Sequence, residues 1–191
     1  MKNLNVKVVV ALLLIGVFSL AACNTEAKKS NTKSKIVESK TTGSNTEDTN
    51  QNKYGQVITQ YLNLKDALVD DNSEVTSKVS ENLLAALENF NLDQFKGEDK
   101  STLVKILNES KDQAAQISNS DIETQRTQFL GLSKNMIELV AITGTSGELF
   151  QQYCPMYDNN KGGVWLSAQK EIKNPYFGAS MLHCGVVEKE L

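Results

Sequence analysis

YGQVITQYLNLKDAL, Tyr54 to Leu68, decides the reading of the chain. Tyr54, Val57, Ile58, Tyr61, Leu64 (or its neighbour Lys65) and Leu68 recur at i, i+3, i+4 and i+7, which gathers them on one face of a helix. Asp70-Asp71-Asn72-Ser73 stops that helix and offers an N-cap to the next. The pattern then repeats outward. Val75, Val79, Leu83, Ala86, Leu87 and Phe90 predict a second helix that Gly97 breaks. Leu103, Ile106, Leu107, Ala114 and Ile117 predict a third from about Lys100 to Ile117. Ser120 followed by Glu123 has the form of a capping box. It opens a fourth helix with Ile122, Phe129, Leu130, Ser133, Met136, Ile137 and Val140 inward, ended by Gly144 and Gly147. Met136 reads as core, Arg126 as a boundary ion pair. Four amphipathic helices joined by short polar turns predict a mostly α protein, an antiparallel four-helix bundle.

Beyond Gly147 the helical period is lost. The tail from Tyr153 reads YCPMYDNNKGGVWLSAQKEIKNPYFGASMLHCG, Tyr153 to Gly185. Asp158 to Gly163 is a turn, and Asn174-Pro175 is another turn signal. Val164-Trp165-Leu166 and Gly185-Val186-Val187 have the length of two strands of a small β-ribbon. The tail is too poor in apolar residues to fold alone and is expected to dock on the bundle through Tyr153, Trp165, Tyr176 and Phe177.

Upstream, Lys2 and Lys7 precede an apolar run, Val8 to Leu20, and then Leu20-Ala21-Ala22-Cys23. This is the pattern of a signal peptide over 1–22 with a lipobox, and it predicts cleavage before Cys23 and lipidation of that cysteine. The apolar run is shorter than the ~20 residues that cross a bilayer core. Residues 24–52 are mostly Ser, Thr, Asn, Lys, Glu and Gln, with Ile36 and Val37 the only large apolar residues, the composition of a disordered linker. The expected division is therefore a leader, a lipidated Cys23 with linker over 23–52, and a folded domain over 53–191. The 191-residue chain carries −3. Without the leader it has 18 basic and 23 acidic residues, about −5, which excludes an electrostatic footprint for nucleic acid. Membrane attachment falls to the acyl chains.

Tyr-Cys-Pro-Met at 153–156, Gly-Val-Trp-Leu-Ser at 163–167, Ile-Lys-Asn-Pro-Tyr-Phe-Gly at 172–178 and Met-Leu-His-Cys-Gly at 181–185 resemble the C-terminal signature of the domain-of-unknown-function 3347 family. Gln125-Arg126 with Phe129, Leu132 and Ser133 resembles that family's fourth helix. Tyr61-Leu62 with Leu64-Lys65 and Ala67-Leu68 resembles its first. The resemblance runs from about Tyr54 to Val187. It implies a lipid-anchored envelope protein of a Gram-negative bacterium, facing the periplasm or cell surface. The family also occurs fused to periplasmic adaptors of heavy-metal RND efflux pumps, which implies copper or silver handling and such an adaptor as partner. His183 stands where family members commonly carry Thr.

Three cysteines less a lipidated Cys23 leave Cys154 and Cys184 in an exported chain. Thiolate and thioether donors suit Cu(I), with Ag(I) as its mimic. Met is a poor zinc ligand. The candidate metal set is Cys154, Met156, Met181 and Cys184, with His183 as an optional fifth donor. Pro155 biases Cys154 toward extended backbone, in which Cys154 and Met156 would share a side. The alternative is a Cys154–Cys184 disulfide closing a loop of about 30 residues, worth roughly 3–4 kcal/mol, in an interaction module without metal. Two buried free thiols are a third reading. The efflux association weights the metal. No catalytic constellation stands out: His183 is the single His, the Gly162-Gly163 step is a turn, and the Asp70-Asp71 and Glu98-Asp99 pairs sit where carboxylates favour helix N-termini. The expectation is a binding protein and not an enzyme.

Overall fold

The computed structural model describes residues 47–191, with side chains from Gly55 onward. The predicted leader, Cys23, most of the linker and the Tyr54 side chain lie outside the described residues. Helices α1 (Glu47–Val69), α2 (Ser73–Glu88), α3 (Gly97–Ser118) and α4 (Ile122–Thr143) follow in order. Each packs on the next, and α1 also meets α4, which is the expected helical bundle. No helix among the described residues is long and apolar enough to cross a membrane.

The apolar spacing puts most of the expected face inside. Val57, Tyr61, Leu64 and Leu68 of α1, Leu83 and Leu87 of α2, the five expected residues of α3, and Phe129, Met136 and Val140 of α4 are buried. Several details differ. Helix α1 starts at Glu47, ahead of the expected boundary at 53, because a formed helix adds preceding residues at little cost. Helix α2 ends at Glu88, well before Gly97. Asn89 closes it by donating from Nδ2 to Ala85 O at 2.8 Å, and Gly97, at φ +59°, instead opens α3. Val75 is 45% exposed. Its expected place inward goes to Thr76 and Ser80, whose hydroxyls are buried because they donate to Asn72 O (2.7 Å) and Ala114 O (2.8 Å). The cap of α4 is Asp121, which accepts from Thr124 N at 2.9 Å. Ser120 is not the cap, since its hydroxyl turns back to Gln116 O.

The tail forms three antiparallel strands, not two. Strand β1 (Phe150–Cys154) lies between β2 (Gly163–Ser167) and β3 (Val186–Glu190). Cys154 pairs with Gly163 and Phe150 with Ser167 on one side. On the other, Tyr153 pairs with Val186 and Gln152 with Val187, with a register irregularity between Gln151 and Gln152. The central strand hides in the sequence because its buried alternation, Phe150, Gln152, Cys154, has an amide at its centre. Between β1 and β2 the chain makes a left-handed turn at Asp158, Asn159 and Asn160 (φ 47°, 56° and 64°), a region that Asp and Asn tolerate best among non-glycine residues. A 3₁₀ turn covers Gly178–Met181 before β3.

Aromatic stacking docks the tail. Tyr61 stacks on Phe129 (centroids 5.3 Å), Phe129 meets Tyr176 (5.7 Å), and Tyr176 meets both Trp165 (5.9 Å, edge-on) and Tyr157 (4.1 Å, stacked). Trp165 and Tyr176 are buried as expected. Phe177 is half-buried against Tyr157, while Tyr153 covers its own hairpin, where a Cβ on Gly162 would strike its ring. A polar latch accompanies the rings. The Tyr61 hydroxyl lies 2.8 Å from Ser133 Oγ and accepts from Leu166 N at 3.0 Å, and burial drives its pKa upward.

Arg126 exceeds the boundary ion pair expected of it. Its Nε donates to Pro175 O (3.0 Å), and its Nη2 donates to Leu68 O (3.0 Å) and to the Asp71 carboxylate. The other Asp71 oxygen accepts from Ala179 N at 2.9 Å. These two bonds hold the Asp71 carboxyl below its usual range. Gly178, at φ +53°, is required where it stands, because a side chain there would collide with that carboxylate.

Candidate functional site

Of the five expected donors, the fold brings two sulfurs into direct contact. Cys154 Sγ and Cys184 Sγ lie 2.9 Å apart, thirty positions apart in sequence, and both cysteines are free thiols. Cys154 is fully buried at the end of β1, beside the core that contains Trp165 and Tyr176. Cys184 is only partly buried. Its contact with the Cys154 thiol, followed by burial, pushes the Cys184 thiol up to about 11.

The other three donors are placed differently. Cys154 has the extended backbone that Pro155 favours, but Met156 has turned to φ −86° and ψ −15°. The same-side relation of alternate strand residues therefore stops before Met156, which is 49% exposed. Met181 is half-buried at the end of the 3₁₀ turn, and its carbonyl accepts from Cys184 N at 3.0 Å. His183 is exposed, with Nδ1 3.1 Å from Ile172 O. Among the described residues, no three of His, Cys, Asp and Glu gather as a metal-holding group.

The setting of the two thiols depends on residues that the pattern of soft donors does not reveal. Gln152, buried in the middle of β1, accepts from Trp165 Nε1 (2.8 Å) and directs its own Nε2 at the carbonyls of Gln169 (2.8 Å), Lys170 (3.3 Å) and Glu171 (3.3 Å). This amide holds the connection that follows β2. Asn174, also fully buried, donates from Nδ2 to Cys184 O at 2.7 Å. Gly185, at φ +149°, fits beneath the Trp165 ring and the Tyr153 carbonyl, each only 2.9 Å from where a Cβ would sit. The sequence marks Asn174 as a turn residue ahead of a proline, and it gives no sign that Gln152 is inside.

Residues 57–148 match the family model described as "Protein of unknown function (DUF3347)". The helical part of this chain is a DUF3347 domain. The match runs from α1 to just before β1, so the DUF3347 segment contains Arg126 and the faces on which the tail docks. Cys154, Cys184 and the other soft donors lie after it. No curated protein and no solved structure matches the chain.

The donor chemistry fits a soft ion in part. Two thiols are in contact, and thioethers stand two positions after one and three positions before the other. A metal–thiolate bond is about 2.3 Å for zinc, so an ion held by both sulfurs requires them to open to roughly 4 Å. Cys184, on the partly exposed side, has the freedom to move; Cys154 is fixed by strand pairing on β1.

Proposed function

We propose that the protein is a lipid-anchored cell-envelope protein that binds a soft metal ion, Cu(I) with Ag(I) as its mimic, on the Cys154–Cys184 pair, and that it works in copper or silver handling beside an efflux adaptor. The observation that carries this reading is the meeting of two soft donors from distant points of the chain at a partly exposed position. The lipobox-like leader and the efflux setting of the resembled family support the location and the partner. Met156 and Met181 are the available thioethers, and His183, whose Nδ1 lies on Ile172 O, is an optional donor through Nε2. The protein's part is binding and transfer of the ion, not catalysis.

Titrating the reduced full chain, with Cys23→Ser so that the pair supplies the only thiols, against a chromogenic Cu(I) chelator tests the metal. The expected result is one ion withdrawn per chain and none by the Cys154→Ala/Cys184→Ala variant. Equal competition by the two proteins sinks the reading.

A second reading rests on the burial of Cys154 and on the two-member thiol group. In it the pair is a structural disulfide and the tail is an interaction surface for an envelope partner. Intact mass of the natively exported protein, before and after thiol alkylation, separates the two. A fully oxidised pair that resists mild reductant supports the second.

A further inference from the structure

We infer that Asn174 is the positioning residue that holds Cys184 against Cys154 and so sets the thiol–disulfide balance of the pair. The inference deepens the metal reading, because the same balance decides how much free dithiol is offered to an ion, but its geometry holds for either state of the sulfurs.

Asn174 is fully buried, and its hydrogen bonds converge on one short stretch. Its backbone N donates to Leu182 O at 2.8 Å, and its Nδ2 donates to Cys184 O at 2.7 Å. Its Oδ1 accepts from Tyr176 N at 2.8 Å, and its carbonyl accepts from Gly178 N at 3.1 Å. One residue therefore joins the turn that begins the Tyr176-Phe177 segment to the turn that ends at Cys184. The remaining contacts of that second turn are weaker constraints: Met181 O accepts from Cys184 N within the turn itself, and His183 reaches Ile172 O from an exposed position. Cys154 is held by the pairing of β1 with Gly163 and needs no such device. On its C-terminal side Cys184 is tied through Val186, which pairs with Tyr153; on its N-terminal side the buried tie is the amide of Asn174.

The chemical consequence concerns effective concentration. Oxidation removes two electrons and two protons from the pair, joining Sγ to Sγ; a disulfide such as oxidised glutathione accepts them and leaves as two thiols. Cys184, the partly exposed sulfur, meets the oxidant first. Cys184 attacks the oxidised glutathione and releases one glutathione thiol; Cys154 then attacks Cys184 Sγ of the mixed disulfide and releases the second. The second step is intramolecular and depends on how closely Cys184 is held.

The test equilibrates the full chain, carrying Cys23→Ser, in glutathione redox buffers and measures the fraction of oxidised pair by alkylation and mass. Asn174→Ala and Asn174→Asp are the variants; the second keeps an acceptor for Tyr176 N and removes the donor to Cys184 O. The expected result is an oxidation equilibrium constant lowered about tenfold, the equivalent of one buried hydrogen bond, with helicity retained. Tyr176→Phe, which loses the bond from its hydroxyl to Val164 O, serves as the control for general loosening: it lowers the denaturation midpoint and leaves the constant near wild type. A constant within about twofold of wild type in a folded Asn174→Asp protein overturns the inference, as does an equal drop in Tyr176→Phe. Cu(I) competition by the wild-type chain is scored separately, so failure to bind metal removes the metal reading without touching the redox result.

Discussion

The bundle and the tail are stabilised in different proportions: each holds a buried amide, Gln125 in α4 and Gln152 in β1, but most of the apolar core belongs to the bundle. Helices α1 to α4 bury apolar stripes, and their buried hydroxyls (Thr76, Ser80 and Ser110) are satisfied by nearby carbonyls in or beside the helices. The tail buries Gln152, Ser167 and Asn174 among a few aromatic rings, and its loops are held by those side chains. The difference teaches that a segment with little apolar surface can still be fixed when each buried polar group has a partner, and that it then becomes sensitive to single polar substitutions. The two meet at Phe129, Tyr61 and Arg126, where both kinds of contact occur.

Breaking the junction should have the largest effect. Phe129→Ala removes a ring wedged between Tyr61 and Tyr176 and is expected to cost about 3–5 kcal/mol. Because the ring touches both regions, chemical denaturation should lose helical circular dichroism and tryptophan fluorescence from Trp165 in one transition. Two separated transitions would show that bundle and tail unfold independently.

Gln152→Leu attacks the tail alone. It strips Trp165 Nε1 of its acceptor and the carbonyls of residues 169–171 of their donor. The expected loss is about 2–3 kcal/mol, with faster proteolysis at 168–173 and unchanged helicity. Retained protease resistance would mean that apolar packing holds this connection after all.

A smaller effect is expected from pH. The Cys184 proton is held more tightly in the folded chain, with its pKa raised from 9.0 to about 11 by Cys154 and by burial. The stability it contributes is fully present below about pH 9 and fades as pH rises toward about 11. Denaturation midpoints of the reduced protein across that window should fall further than those of Cys184→Ser. Parallel curves for the two proteins would remove the thiol from the account.

Val75→Ala marks the lower end. The side chain is 45% exposed, so its loss should change stability by less than about 0.5 kcal/mol in a denaturant titration, whereas a member of the buried α2 stripe such as Leu83 should cost several times more.

The two regions were unequally legible for the same physical reason. Helical spacing reports burial when burial is apolar, and Leu103, Ile106, Leu107, Ala114 and Ile117 could be placed inward from their positions alone. It fails where a satisfied hydroxyl takes the inward position, as Thr76 does beside Val75. Strand β1 was missed because Gln152 occupies a buried position with a polar side chain. At the candidate site, the soft residue types identified Cys154 and Cys184, which do meet, but spacing cannot foresee that the backbone turns at Met156 or that His183 rests on Ile172 O. Asn174 and Arg126 are long-range connectors, and their partners are visible only once distant segments are folded together.

The thirty-position separation of the two sulfurs also has a consequence in time. Chains are synthesised at about 5–20 residues per second, so roughly 1.5–6 s pass between the addition of Cys154 and that of Cys184. By then the four helices have all been made and can assemble first. Until its mate arrives, Cys154 is an unpaired nascent thiol on a strand whose second neighbour, β3, has not yet been made, and every copy of the protein passes through that interval once.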